Sequence, residues 1–195
     1  AVLKYVGSEL VNGGSVGLYT DCGISGSLPS NIARLEAGQE YPIAVILSNR
    51  LDIPVKAEKM LILRPGNLFL GIGCKKGKSR DEIGAAVMAF LKENRRSLLS
   101  VRKIASIDLK AGEAGIVDFC GERGIEFVTY PAEAIKTIED KFAISEFVRK
   151  TTGVGTVAEA CAVLAGGDAR LVCPKRARNG ITLALAEEER SYRIE

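Results

Sequence analysis

The chain contains neither histidine nor tryptophan, and both absences narrow its chemistry. Without histidine, Ser-His and Cys-His nucleophiles and His-ligated metal sites within this chain are excluded. Any acid or base must therefore be Asp, Glu, Lys, Tyr, Cys or water. Aromatic residues make up only 6% of the sequence, which argues against a surface that stacks nucleic-acid bases. The net charge of +3 is also too small to indicate nucleic-acid binding by itself.

Paired cysteines and long apolar runs are missing as well. The five cysteines are odd in number, lie far apart and form no CxxC pair, so neither a zinc site nor a disulfide framework is indicated. This usage fits a reducing compartment, and we predict a cytoplasmic protein. No apolar run approaches the roughly 20 residues of a membrane span, and the start AVLKYVGSEL lacks a signal-peptide pattern. We therefore predict no membrane partner.

Length and patterning predict two parts. The 195 residues are enough for one ordinary domain or two small ones, and 47% of them are hydrophobic. Residues 1–12 form an apolar helical stripe that Asn12, Gly13 and Gly14 end, and VGLYT and YPIAVILS read as strands. A Pro65-Gly66 break follows MLILR. We predict a small α/β segment over 1–66 and a second domain over 67–195.

From Asn67 onward the pattern alternates strand and helix. The predicted strands are LFLGIG, KIASIDL, IEFVTY, ARLVC and GITLALA, with apolar helical stripes between most of them. Repeated units of this kind predict an α/β fold with a mixed, mostly parallel sheet and helices on its faces. Such sheets bind ligands at the C-terminal edge of the strands.

The segment GIGCKKGKSRDEI (71–83) joins a predicted strand to a helix that Ser79 and Glu82 would cap. Backbone N–H groups and lysines at a helix start favour an anion. The alternative is a tight turn with solvated lysines. The segment is neither a Walker loop nor GxGxxG, which weakens nucleotide binding as a function. The predicted ligand contacts here are Gly71, Gly73, Cys74, Lys75, Lys76, Gly77 and Ser79, although Cys74 fits a small packing residue better than a nucleophile.

A second candidate group follows the strand KIASIDL. Asp108, Lys110 and Glu113 lie within six residues of one another at a strand end, where a carboxylate beside a lysine can exchange protons with substrate or water. We take these three as the candidate catalytic residues. The alternative is that Asp108 and Glu113 only cap the next helix, which is at least as plausible for Glu113.

Two later segments supply further candidate ligand contacts. Gly153 and Gly155 precede Thr156, which with Glu159 reads as the capping box of another helix. The stretch CPKRARNG places basic residues in a hairpin loop turned by Asn179 and Gly180. A glycine before a helix is common, and a basic loop is often only solvated. The candidate contacts are Gly153, Gly155, Thr156, Lys175, Arg176 and Asn179.

Read together, five ordered blocks resemble the C-terminal domain of the CbiG family. They are GIGCKKGKSRDEI, IASIDLKAGEAGI, SEFV, TTGVGTVAEACAVLAG and VCPKRARNGITLALA. Residues 1–66, with GGSVGLYTDCG, LPSNI, AVILSNR and LRPGNL, look like the central segment that precedes this domain. The family's full-length members carry an additional N-terminal domain, which has no counterpart in this sequence.

The resemblance implies a role in cobalamin biosynthesis: hydrolytic opening of the δ-lactone of cobalt-precorrin-5A, with release of acetaldehyde, to give cobalt-precorrin-5B. The partner would be an anionic cobalt-tetrapyrrole substrate that brings its own cobalt, so neither a cofactor nor a protein metal site is expected. A separate chain supplying the N-terminal domain, other cobalamin-pathway enzymes or a homo-oligomer are further partners compatible with the resemblance.

Rival functions remain at this point. A non-catalytic corrinoid-precursor carrier, similar to the family's relative CobE, would bind the ring without releasing acetaldehyde. A Rossmann-like nucleotide-binding protein is disfavoured by the absent phosphate fingerprints, and nucleic-acid binding is weaker still.

Overall fold

The computed structural model describes residues 2–167 and 169–194. The described chain divides into two compact units. The first contains the residues up to Pro65 together with those from Glu189 onward, and the second spans Gly66–Glu188. Within the described part of the chain, no helix is long and apolar enough to cross a membrane.

The first unit is built on a parallel sheet with the strand order β3-β1-β4-β5. Its helix α1 buries Val6 beside Val16 and Ile43, which explains why the apolar stripe of the first 11 residues forms a helix. A short parallel pair, β2 with β11, completes the unit. The elements are α1 (Val2–Val11), β1 (Val16–Thr20), β2 (Gly23–Ser25), β3 (Ile32–Arg34), β4 (Glu40–Leu47), β5 (Lys56–Leu63) and β11 (Ser191–Arg193).

The second unit has a mixed sheet with the order β8-β7-β6-β10-β9. Strands β6, β7 and β8 are parallel, and β10 is antiparallel to both of its neighbours. The strands are β6 (Leu68–Cys74), β7 (Val101–Ile107), β8 (Glu126–Tyr130), β9 (Arg170–Arg178) and β10 (Ile181–Glu187), and the helices are α2 (Arg80–Glu93), α3 (Ala114–Arg123), α4 (Ala132–Lys136), α5 (Glu146–Thr152) and α6 (Ala158–Gly166).

Two apolar cores cover the faces of this sheet. On one face, Leu70 and Ile72 of β6 pack with Ile83 of α2 and Ile116 of α3. On the other, Phe69 packs with apolar residues of α6 and α4. Because alternate residues of a strand point to opposite faces, β6 is buried on both sides.

The predicted fold class is confirmed, and so are two local signals. Ser79 and Glu82 form the predicted capping box at the start of α2. Asn179 and Gly180 turn the β9–β10 hairpin with φ angles of 52° and 76°, the positive values that a tight two-residue turn requires.

Two local predictions are wrong. Helix α6 begins at Ala158 with Val157 as N-cap, so Thr156 does not cap it. Lys175 and Arg176 lie in strand β9 and not in a hairpin loop, because the two-residue turn lets β9 pair with β10 as far as Arg178.

Candidate functional site

The C-terminal edge of β6 meets the turn of the β9–β10 hairpin. Cys74 is the register partner of Ile181, and the Lys75 N–H donates to the Gly180 carbonyl over 2.8 Å. The parallel strands β6, β7 and β8 end at this same edge. Residues that follow four strands of the sheet are therefore brought together here.

Glu113 joins the segment after β6 to the segment after β7. Its Oε1 accepts a hydrogen bond from the Gly77 N–H at 2.6 Å, and its Oε2 accepts one from Lys110 Nζ at 2.7 Å. The hydrogen bond from Lys110, followed by that from Gly77, holds the pKa of Glu113 below its usual range against the opposing effect of burial. Glu113 occupies the N-cap position of α3, but its side chain makes no capping bond there. It is a tether between two loops.

Several backbone amides predicted to bind an anion already have acceptors within the protein. Besides Lys75 and Gly77, the Ser79 N–H donates to Glu82 Oε2 at 2.9 Å. Lys78 Nζ lies 2.6 Å from the same Glu82 side chain, and that hydrogen bond, with those from Ser79, lowers the pKa of Glu82 to about 2. The capacity of this loop for an anion therefore lies mainly in its side chains.

Lys75 and Lys76 are the cations of this loop that face solvent. Neither forms an ion pair within residues 2–167 and 169–194. Cys74 beside them is partly buried against the α2–α3 core, and this burial raises the pKa of its thiol despite the opposing charge of Lys110. Cys74 is thus a packing thiol beside two available ammonium groups.

Gly71 and Gly73 lie on one face of β6 but have different surroundings. A Cβ on Gly71 would stand 2.7 Å from the Ala158 carbonyl carbon and 2.9 Å from Ala162 N, so this glycine lets α6 approach the strand. A Cβ on Gly73 would meet no atom within 4 Å. The backbone at Gly73 is open to a ligand, and that at Gly71 is closed.

Asp108 is the first residue of a short 3-10 turn, Asp108–Lys110, that directly follows β7. Its side chain is exposed and has no hydrogen-bond or ion-pair partner among the residues that the structure describes. Burial, with a smaller contribution from the Asp108 charge, raises the pKa of Cys161 to about 12. Cys161 lies on α6, so the Asp108 carboxylate acts on the α6 side of the sheet, to which Gly73 also points.

Glu159 was not predicted as a site residue, and it organises the start of α6. It is buried, with 4% of its surface exposed, and its carboxylate accepts hydrogen bonds from Thr156 Oγ1 and from the Lys175 N–H, each at 3.2 Å. Lys175 Nζ lies 3.2 Å from Oε2 of the same carboxylate and also donates to the Ala143 carbonyl. The signal in the sequence was one carboxylate in the otherwise uncharged helix AEACAVLAG.

The remaining predicted contacts divide between structural roles and the opposite face. Gly153 ends α5 with a φ of +77°, and the Gly155 N–H donates to Glu139 Oε2 at 2.5 Å. Arg176 pairs in register with Leu183, which belongs to the α2–α3 core. It lines a groove of about 520 Å³ between α2 and the hairpin, together with Asn179. The structure therefore does not bring Arg176 to the face where Gly73 is open.

The arrangement on the α6 face is an open patch of backbone with an exposed carboxylate on one side and exposed ammonium groups at the edge. Among the described residues, no group of three or more Cys, Asp or Glu side chains is placed to hold a metal ion. Such a site can hold an anionic ligand of substantial size and can offer it one carboxylate base.

Comparison with known proteins adds a family to this geometry. Residues 68–186 match the family described as Cobalamin synthesis G C-terminus. The cobalt-precorrin-5A hydrolase of Salmonella typhimurium is 29% identical over 192 residues, which cover 94% of this chain and 54% of that protein. The cobalt-precorrin-5A hydrolase of Priestia megaterium is 30% identical over 167 residues, which cover 82% of this chain and 44% of that protein.

Solved structures give the same result. CobE, a protein from the cobalamin (vitamin B12) biosynthetic pathway, matches with a TM-score of 0.58 and 30% identity, over 63% of this chain and 90% of its own. A putative cobalamin biosynthesis protein G homolog from Sulfolobus solfataricus matches with a TM-score of 0.52 over 94% of this chain and 53% of its own. Its 24% identity makes that a likeness of fold alone.

The chain spans about half the length of the curated relatives it matches. The family match covers most of the second unit, including the edge that carries Gly73, Asp108 and Glu113. On this match the chain belongs to the CbiG family of cobalamin-synthesis proteins.

Proposed function

We propose that this chain acts on cobalt-precorrin-5A in cobalamin biosynthesis, opening its δ-lactone by hydrolysis and releasing acetaldehyde to form cobalt-precorrin-5B. The observation that carries the proposal is the exposed, unpaired Asp108 carboxylate on the same face as the open backbone of Gly73. The two cobalt-precorrin-5A hydrolases to which the chain is similar supply the reaction.

The charges at this edge suit such a substrate. A cobalt-precorrin is a large macrocycle with acetate and propionate groups around its rim. Lys75 and Lys76 are exposed ammonium groups without internal partners in the described chain, and each can pair with a rim carboxylate. The cobalt arrives within the ring as part of the substrate.

In the proposed chemistry, Asp108 takes a proton from water as the water attacks the lactone carbonyl. The carbonyl C–O bond to the ring oxygen breaks, which leaves a carboxylate and frees the two-carbon unit for release as acetaldehyde. Lys110 follows Asp108 by two residues, and Glu113 occupies only part of its donor capacity. It can stabilise the negative charge that develops on the lactone oxygen. Glu113, with both oxygens engaged, acts as a tether and not as the base.

The test is acetaldehyde release from cobalt-precorrin-5A by the wild-type chain and by Asp108→Asn. General-base catalysis typically contributes 10²–10⁴-fold, so we expect turnover to fall by roughly a hundredfold or more. Asp118→Asn is the matched control, because Asp118 is an exposed aspartate on α3. Unimpaired release by Asp108→Asn would eliminate Asp108 as the base.

A second candidate is a non-catalytic carrier of corrinoid precursors. It is favoured by the match to CobE, which covers 90% of that protein, and by the fact that the curated hydrolases are about twice as long as the matched region. A carrier would bind cobalt-precorrin-5A stoichiometrically and release no acetaldehyde. Adding a separately produced N-terminal half of a relative distinguishes a carrier from a hydrolase that needs this half, because only the latter would then become active.

A further inference from the structure

Phe147 is an aromatic side chain that lies almost entirely in solvent. It is 76% exposed, whereas Phe69, Phe90 and Phe119 of the same unit are buried. Among the described residues of this unit it is the one aromatic residue in the set of exposed large hydrophobics. Burying a phenylalanine stabilises a protein by about 1.5–3 kcal/mol, so a site that leaves it in water forgoes a sizeable gain.

The segment that carries Phe147 is tethered to the candidate site. Phe147 lies in the first turn of α5, which starts directly after Ser145, and the Ser145 N–H donates to the Gly155 carbonyl at 2.8 Å. Ala143, two residues before Ser145, accepts the hydrogen bond from Lys175. Phe147 is therefore held near the start of α6, on the face where Gly73 is open.

A second apolar side chain lies at the same edge. Leu109 is 69% exposed and stands between the proposed base Asp108 and Lys110. A leucine exposed alone is ordinary, but here the two apolar side chains belong to an edge whose other exposed groups are Lys75 and Lys76. A ligand that matches this edge needs broad apolar faces as well as a rim of negative charge.

We infer that Phe147 and Leu109 contact the apolar face of a tetrapyrrole ring and make the site prefer a macrocycle over an open-chain polycarboxylate. The inference rests on the proposed function, since it assigns specificity residues to that same site. It gives the lysines the carboxylate rim and the two apolar side chains the ring plane. Removal of either side chain weakens ring binding without changing the charge of the site.

The experiment is a titration of the full chain with uroporphyrin, a stable tetrapyrrole with eight carboxylates, followed by its absorbance. We expect Phe147→Ala to raise Kd about tenfold, the change expected for loss of about 1.4 kcal/mol, and Leu109→Ala to raise it severalfold. Phe147→Leu keeps an apolar side chain and retains most of the affinity. The Phe147→Ala loss persists at high salt, whereas the loss in Lys76→Ala shrinks.

Leu99→Ala is the matched control. Leu99 is 79% exposed and lies in the 3-10 turn before β7, at the opposite edge of the sheet, so its removal leaves Kd unchanged. Wild-type affinity in both Phe147→Ala and Leu109→Ala overturns the inference while the proposed function stands. Failure of the wild type to bind either uroporphyrin or cobalt-precorrin-5A overturns both. Equal competition by citrate in wild type and in Phe147→Ala counts against the proposed preference for a ring.

Discussion

Replacing Gly71 and Gly73 by alanine, one at a time, separates packing from ligand approach on a single strand. Alanine at Gly71 places a methyl group 2.7 Å from the Ala158 carbonyl carbon, where carbon atoms prefer about 3.5–4.0 Å. Helix α6 must then retreat by roughly 1 Å from β6, where Ala160 and Cys161 are fully buried. Overpacking of this kind costs about 1–3 kcal/mol, and contact with rigid backbone predicts the upper end.

Alanine at Gly73 predicts the opposite pattern. Its methyl group meets no atom within 4 Å, and alanine is favoured over glycine in a strand interior by roughly 0.5–1 kcal/mol. The folded unit should therefore be as stable as the wild type or slightly more so. Ligand binding should suffer, because the methyl group occupies the open space above the backbone.

Two assays on both variants check this. Thermal unfolding followed by circular dichroism should show Gly71→Ala melting roughly 10 °C below wild type, since 1 kcal/mol is worth about 2–8 °C in units of this size range. Titration with a tetrapyrrole should show Gly73→Ala weakened at least tenfold with unchanged melting. An unchanged melting temperature in Gly71→Ala would contradict the close packing of α6 on β6, and wild-type binding by Gly73→Ala would refute ligand approach at this position.

Three further predictions concern charges and caps. Lys110 and Gly77 lower the pKa of Glu113, so the tether is fully present above the unfolded-state pKa and is lost as pH falls through the lower folded-state value; an acid titration of the Gly77 amide NMR signal should show this step in wild type and not in Glu113→Gln, and identical curves would contradict it. Glu159→Ala leaves the ammonium group of Lys175 without its carboxylate and should cost about 3 kcal/mol in urea unfolding; adding Lys175→Ala should recover part of the loss, whereas simple additivity would argue against the pair. Ser79→Ala removes the α2 cap and should cost about 1 kcal/mol, while Ser79→Asp, which can still cap, should melt close to wild type.

Local patterns in the sequence were enough to predict most of the second unit. The capping box at Ser79 and the Asn179-Gly180 turn depend on residues a few positions apart, and the alternation of strands and helices predicted the mixed sheet that the structure has.

The site needed contacts that no local pattern contains. Glu113 was expected to act as a base or a cap, but it bonds to Gly77, 36 residues earlier. The register of β9 shifts between the partners of Leu183 and Leu185, so the faces of Lys175 and Arg176 did not follow from counting along the strand. Gly71 and Gly73 look alike in sequence and differ only because α6 packs against one of them.

The chain leaves the first unit at Pro65 and rejoins it from Glu189 onward, where β11 pairs with β2. Within the second unit the two ends meet, since the Glu188 N–H donates to the Asn67 carbonyl at 2.9 Å. During synthesis on the ribosome the second unit can therefore close before the first has received its last strand. The first unit is a host with the second inserted into it, and its β2–β11 pair forms only when the final residues emerge.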